Sequence, residues 1–555
     1  VFVGGRVLTM DAQSSIASAL AVTNGVIVAV GDHEQLQPLI GPDTRVIDLV
    51  GRTLLPGIND AHCHAMAFGL DRPPFNLDLS YPTVKSIADI AKAVKDATRS
   101  LEPGQWIVGS GWDSGFLDEC VNEPGRLPTR HDLDSVSPNN PVYLQDFSYH
   151  TAWVNTLALE RASYDHNTVP PTGATIEREP DGFPTGYVTE GARYPIRDLL
   201  PTPTHEMRMS AARSAIATMN ALGITSLTEP GIGPGDAGGG MAEGGLEVYR
   251  DLENDGLLDA RITVLILAVK MSRSFEEFAE NLRDLELPTY RDARQVNIVG
   301  VKIMADGIPP NRTSWMHEPF VGGGCGGLTV GGDTDPEREA TLRQMIVYAH
   351  SLGYQVGVHI TGDRGIDAVV DSFADAVRQH PRTDTRHYVI HGDFMTPHSL
   401  EVCREFGFGV NMNPTIKWTI ADLEEEFVGA ERAAYEFPYR STLDSGVRVT
   451  SGSDAPVTFP DWRQGVSTMV LRESKASSRV SGADQCITVM EALRTYTIDA
   501  AWQDFAESWK GSLEVGKVAD LCVVDGDLLS IDPHDIPSAP VLLTAIGGRI
   551  VHDAL

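Results

Sequence analysis

Eight apolar, β-prone runs recur through the middle of this 555-residue chain, and they constrain its fold more than any other feature. They are LLPGINDAHCH (54–64), GITSLTEPG (223–231), RITVLILAV (261–269), VNIVGVKIMADG (296–307), YQVGVHITGD (354–363), RHYVIHGD (386–393), FGFGVNMNP (406–414) and VRVTSGSDAPV (447–457). Near-continuous Val, Ile and Leu suit strands buried on both faces. Helical patterns separate several of them, as in PEREATLRQMIVYAHSLG (336–353) and GIDAVVDSFADAVRQH (365–380). Strands alternating with helices in this way predict an α/β fold, a (β/α)8 barrel of the TIM type.

The two ends have a different texture. VFVGGRVLTMDAQSSIASALAVTNGVIVAVGD at the start, and GSLEVGKVADLCVVDGDLL with VLLTAIGGRIVHDAL at the finish, read as short antiparallel strands broken by Gly-Gly and Asn-Gly. Neither end can build a good core alone. Residues 1–53 and 510–555 are therefore expected to form one composite β-sandwich, with the barrel domain spanning 54–509. The gap between the first two runs is too long for one helix. Residues 75–205, rich in Pro, Gly and aromatics, are expected to be a large insertion after the first barrel strand.

Composition excludes some partners. The net charge of −32 repels phosphate backbones, so nucleic acid is a poor partner. No apolar run approaches the roughly 18 residues that span a bilayer, so no membrane is expected. The six cysteines are scattered without a CxxC, which fits a reducing cytoplasm and argues against a thiolate zinc site. No signal peptide is visible. The chain opens at Val1 inside an expected strand, so residues ahead of it are expected to be missing.

Barrel strands converge at their C-terminal ends, where active sites lie. Those ends carry His62 and His64 on the first run, Lys302 on the fourth, His359 on the fifth, His391 on the sixth and Asp454 on the eighth. Residues i and i+2 of a strand share a side, about 6.5–7 Å apart, so the two imidazoles of HCH can meet one ion. Cys63 between them is expected to face outward as a small buried hydrophobe. Imidazole and carboxylate without thiolate suit Zn, ahead of Mn, Fe, Co or Ni. A site with an open coordination position is catalytic. Asp60 is expected to support a ligating histidine from behind.

PGINDAHCH (56–64), VKIMADG (301–307), HITGDRGIDAVV (359–370), IHGD (390–393), SGSDAPV (451–457) and GSLEVGKVADLCVVD (511–525) resemble the amidohydrolase superfamily of metal-dependent hydrolases. PTRHDLDSVSPNNPVYL (128–144) and HTAWVNTLAL (150–159) are similar to the insertion of its branch related to N-substituted formamide deformylases. The resemblance implies that His62 and His64 bind one metal and that His359 and His391 bind a second. It implies that Lys302, carboxylated by CO2, bridges them, and that Asp454 binds metal and handles the proton of the attacking water. If Lys302 instead pairs with Asp306 or Asp454, one metal is expected. The expected reaction is hydrolysis of an amide-type C–N bond by metal-activated hydroxide, on a small-molecule amide such as an N-substituted formamide. His150 and Arg312 are candidates for stabilising the oxyanion. Trp112, Asp113 and Trp315 are candidates for contacting substrate. A cyclic amide, carbamate or N-acyl amino acid is the alternative substrate. A non-hydrolytic metal-containing binding protein is the alternative from another class. A homo-oligomer, as a dimer, is the expected assembly.

Overall fold

A computed structural model describes the chain except residues 82, 124, 148, 150, 172–173, 236–243 and 270–272. The described residues divide into two compact units: Val1–Ala65 with the chain from Arg213 onward, and Met66–Ala212.

The first unit is built on eight parallel strands, β1 (Ile58–Asp60), β2 (Ile224–Ile232), β3 (Arg261–Leu267), β4 (Val296–Met304), β5 (Gln355–Ile360), β6 (Tyr388–His391), β7 (Gly409–Met412) and β8 (Arg448–Ser451). Each pairs with the next in sequence order. The ring is nearly closed. Beyond the last ladder, Ala61 N–H donates to Ser451 O (3.1 Å) and Asp454 N–H to His62 O (2.7 Å). β5 and β6 are buried along their whole length, as their apolar runs require.

Helix α1 (Asp335–Ser351) leads into β5, and its first turn is closed by a capping box between Thr334 and Glu337. Helix α2 (Asp363–Gln379) links β5 to β6 and buries Ile366, Val369, Val370 and Phe373, a spacing that keeps one face on the barrel. No described helix is long and apolar enough to cross a membrane.

Both chain ends contribute to the flanking sheets. One six-stranded sheet runs Arg549–Asp553, Val541–Ile546, Leu521–Val524, Thr53–Pro56, Arg6–Leu8, Ile16–Ala17 in spatial order. A four-stranded sheet holds Val26–Gly31, Ala19–Thr23, Phe2–Val3 and Ile47–Asp48. Their shared core joins Val7, Leu20, Ile27 and Leu54 to Leu521, Val523 and Leu543.

The first predicted run proves to be two strands. Thr53–Pro56 belongs to the end sheet, pairing antiparallel with Leu521–Val524, and only Ile58–Asp60 joins the barrel. Gly57 makes the change of sheet possible, because a Cβ there would lie 2.2 Å from Thr225 Oγ1. The histidine pair therefore lies just past the strand end, and strand alternation does not explain its convergence.

The second unit carries a mixed six-stranded sheet, in the order Ile176–Arg178, Pro184–Thr189, Thr151–Val154, Val142–Asp146, Ile107–Trp112, Leu77–Asp78. It has its own core, with Ile90, Val94, Leu133, Val142 and Trp153.

Candidate metal centre

The C-terminal ends of β1 and β8 are tied together first. Asp60 Oδ1 accepts the main-chain N–H of Ser453 (2.9 Å) and of His62 (3.3 Å), and Oδ2 accepts the Ser453 hydroxyl (2.6 Å). Burial raises the pKa of Asp60 to about 6, against these donors. Its action differs from the expectation. Asp60 grips backbone and does not touch the imidazole of His62, whose Nδ1 is buried without a partner among the described residues. Gly452 completes the closure, since a Cβ there would sit 2.5 Å from His62 N.

Six predicted residues are brought to this end of the barrel. His62 Nε2 lies 3.0 Å from Asp454 Oδ1, and His64 Nε2 lies 3.4 Å from the same oxygen. One ligand atom from each of the three falls within 4.8 Å of the others. The rings of His62 and His391 are 5.2 Å apart, and those of His359 and His391 are 4.5 Å apart. Asp454 and His391 hold positive φ, 55° and 76°. Left-handed backbone at a non-glycine residue stores strain and clusters at functional sites.

Neighbours set the tautomers. Asn413 Nδ2–H donates to Gly452 O (3.0 Å), which turns its Oδ1 to accept from His391 Nδ1–H (2.8 Å). His391 Nε2 is left with its lone pair. His359 Nε2–H donates to Gly307 O (3.1 Å), leaving Nδ1 as the lone-pair atom. Burial keeps the rings neutral. It lowers the pKa of His359 to about 3 and of His62 to about 4, and takes His391 well below the usual value. His64 goes the other way, to about 9: burial opposes its charge, but the carboxylates of Asp454 and Glu229 outweigh burial. Asp454 stays ionised. Burial disfavours its charge, yet the surrounding imidazoles bring its pKa well below normal.

Lys302 is 3% exposed and makes no hydrogen bond or ion pair among the described residues. It pairs with neither Asp306 nor Asp454. Burial lowers its pKa to about 7, with Asp454 pulling weakly the other way. Asp306 instead accepts from Trp315 N–H (2.9 Å), Thr361 N–H (3.0 Å) and Gly362 N–H (3.0 Å), so it fastens the loop after β4 to the loop after β5. Three neutral imidazoles, the His64 ring with a proton that a metal would displace, one carboxylate and an unpaired buried amine form a donor set that fits a divalent cation.

The other predicted residues have the following surroundings within their own units. His150 is outside the described residues. Trp112 is 1% exposed; its Nε1–H donates to Leu144 O (3.0 Å) and its ring packs edge-on to Trp153, as a core residue of the second unit. Asp113 Oδ1 accepts from Gly115 N–H (2.7 Å) within a turn. Trp315, a candidate for contacting substrate, is 1% exposed, with the guanidinium of Arg364 over its ring at 4.3 Å. It is packed inside because its own backbone anchors to Asp306 and Gly365. Arg312 is exposed, stacks on Phe427 at 5.5 Å and bonds to none of the six. Cys63 is a buried thiol whose pKa burial pushes up.

Two polar positions beside the candidate ligands went unread in the sequence, Glu229 in the C-terminal half of β2 and Asn413 just past β7. The signal that found the others, a polar residue ending an apolar run, marked both.

The chain is 28% identical to YtcJ of Bacillus subtilis (strain 168), over 99% of this chain and 98% of that protein. It is also 28% identical to N-substituted formamide deformylase of Arthrobacter pascens, over 100% of this chain and 98% of that one. Its fold matches the crystal structure of an uncharacterized metal-dependent hydrolase from Pyrococcus horikoshii OT3, with a TM-score of 0.73 at 22% identity, covering 96% of this chain and 98% of the other. A family model described as amidohydrolase family spans residues 45–552, nearly the whole chain, and places this protein in that family.

Proposed function

We propose that the protein is a metal-dependent hydrolase of an amide-type C–N bond, an N-substituted formamide deformylase or a close relative. The observation that carries the reading is the gathering of His62, His64, His359, His391, Asp454 and an unpaired Lys302 at one end of the barrel. The formamide choice is supported by the full-length similarity to the deformylase of Arthrobacter pascens. Zn is the proposed metal. His62, His64 and Asp454 would hold one ion. His359 and His391 would hold a second where Lys302 is carboxylated.

A bound divalent cation supplies Lewis acidity, lowering the pKa of water and polarising a carbonyl oxygen. The protein's own residues do the rest. Asp454 is an ionised carboxylate in a buried site, able to accept a proton from water and return it to the departing nitrogen. With a pKa near 7, Lys302 is substantially a free amine at neutral pH, the form that reacts with CO2. Asn413 and Gly307 hold the rings of His391 and His359 with one lone pair available on each.

Two measurements test the reading. Enzyme of known metal content is assayed against N-substituted formamides, cyclic amides, carbamates and N-acyl amino acids. Formate release from a formamide is expected; none from any formamide would remove the substrate assignment. In Asp454→Asn, turnover is expected to fall by about 10²–10⁴-fold with fold intact, as for loss of a general acid–base group. Unchanged turnover would refute the role of Asp454.

A further inference from the structure

We propose that Glu229 is a positioning residue for His64, holding the ring with Nδ1–H turned to its carboxylate so that Nε2 faces the metal. The inference rests on the reading of His64 as a metal ligand.

Glu229 is fully buried on β2, between Thr228 and Pro230. Two donors already engage one of its oxygens. Oε2 accepts from the Tyr249 hydroxyl at 2.6 Å and from Ala65 N–H at 3.0 Å. The other oxygen, Oε1, is buried and has no hydrogen bond among the described residues. It lies 3.6 Å from His64 Nδ1, which is likewise buried without one. An orphaned acceptor thus faces an orphaned ring nitrogen, slightly beyond hydrogen-bond distance. A buried orphan pair is costly, and a small ring rotation would satisfy both atoms. Nδ1 must then keep its proton, so the proton that a metal displaces is the one on Nε2, the atom turned to Asp454 at 3.4 Å.

The carboxylate cannot be exchanged for its amide without conflict. Three donors converge on Glu229: Tyr249 O–H, Ala65 N–H and His64 Nδ1–H. A carboxylate accepts on both oxygens, whereas a glutamine amide accepts on one and donates from the other. Glu229→Gln therefore either leaves a donor unmatched or turns the His64 ring. His62 has no comparable support, because its Nδ1 has no partner among the described residues. Outer partners of ligating histidines typically contribute 10–100-fold in metal affinity.

The test is Zn2+ affinity, measured by competition with a chromophoric chelator, on the full chain with metal removed and restored. Glu229→Gln is expected to weaken Zn2+ binding by about 10–100-fold. Glu229→Asp should recover part of the loss, and Tyr249→Phe should lose a few-fold. In a His64→Ala background, Glu229→Gln should cause no further loss, as coupling through His64 demands. The melting temperature of the metal-free Glu229→Gln protein separates positioning from a fold defect and should fall by only a few degrees, as one unmatched buried donor implies. Wild-type Zn2+ affinity in both Glu229→Gln and Tyr249→Phe would overturn the inference while leaving the metal site standing. A loss of affinity in Glu229→Gln that is undiminished in the His64→Ala background would also overturn it. A wild-type chain that takes up no Zn2+ would overturn the metal reading and this inference together.

Discussion

At the scale of single residues, buried charge is the dominant constraint. Lys302 and Lys417 are both buried amines in the barrel unit, yet they are treated in opposite ways. Lys417 Nζ–H donates to Glu436 Oε2 (2.8 Å) and to Ala433 O (2.6 Å), while Lys302 is left without a partner among the described residues. A paired lysine is structural; an unpaired one beside three imidazoles is available for chemistry. Glu424 shares the Lys417 neighbourhood, but neither of its oxygens has a hydrogen bond among the described residues. Burial, reinforced by Glu436 and Asp393, pushes its pKa well above normal and keeps it protonated. Two neighbouring substitutions should therefore differ. Glu424→Gln replaces a neutral acid by a neutral amide and should keep stability within about 1 kcal/mol of wild type at pH 7. Glu436→Gln removes the partner of a buried cation and should cost about 3–5 kcal/mol. Equilibrium urea unfolding measures both, and equal losses would contradict the assignment.

At the scale of elements, one histidine relay fastens α1 to the entrances of β5 and β6. Val356 N–H donates to His387 Nδ1 (3.0 Å), so His387 carries its proton on Nε2 and passes that hydrogen bond to His350 Nδ1 (2.8 Å). His350 Nε2–H then donates to His380 O (2.8 Å). Every position is filled by neutral rings, and a proton added to His387 Nδ1 would oppose Val356 N–H. Burial, followed by repulsion that a charged His387 would meet from a charged His350 and from Arg382, holds the His387 pKa well below 6.5. The sign follows from linkage: a depressed histidine contributes stability that is complete above the unfolded value. That stability is lost as pH falls below about 6.5 toward the folded value. The slope for His387 reaches about 1.4 kcal/mol per pH unit. Unfolding free energy should fall between pH 7 and 5.5, and His387→Gln, which can accept and donate without ionising, should flatten that decline. An unchanged slope in the variant would remove the relay as its source. The strand ends carry a second such constraint, because Gly452 presses against His62 N. Gly452→Ala should cost about 1–3 kcal/mol by forcing β8 and β1 apart, together with a measurable loss of Zn2+ affinity.

At the scale of the whole molecule, stability rests on joining distant parts of the chain. The strand Thr53–Pro56 lies between Arg6–Leu8 and Leu521–Val524, so the flanking sheet has no continuous core until the last residues are in place. Removing residues 541–555 would expose Leu521–Val524 along one edge and take Leu543 from the shared core. That truncation should give an aggregation-prone product with a lower thermal midpoint. A net charge of −32 acts on the molecule as a whole. Salt screens the self-repulsion of such a chain, so the melting temperature should rise from low ionic strength to about 0.5 M NaCl.

What was legible in the sequence followed from local physics. Buried parallel strands need apolar runs, and ligand-type residues ending those runs are conspicuous, so eight strands and His62, His64, Lys302, His359, His391 and Asp454 could be read directly. The ends were legible because short alternating strands with tight turns cannot fold alone. The rest required long-range contact. Gly57 divides one apolar run between two sheets only because Thr225, distant in sequence, lies against it. Asp60 and Asp306 read as possible partners of imidazole or ammonium, but the folded loops present them with main-chain N–H groups instead. Trp315 reads as a substrate contact in the sequence, but in the fold its backbone is fixed by Asp306 and Gly365 and its ring is covered by Arg364. Glu229 gains its meaning only from Ala65, Tyr249 and His64 arriving around it. The sequence by itself determined which strands form and which chemistry they carry, since both depend on residue type and local pattern. Tertiary structure alone decided which atom each polar group answers to, because that depends on distances between residues far apart in the chain.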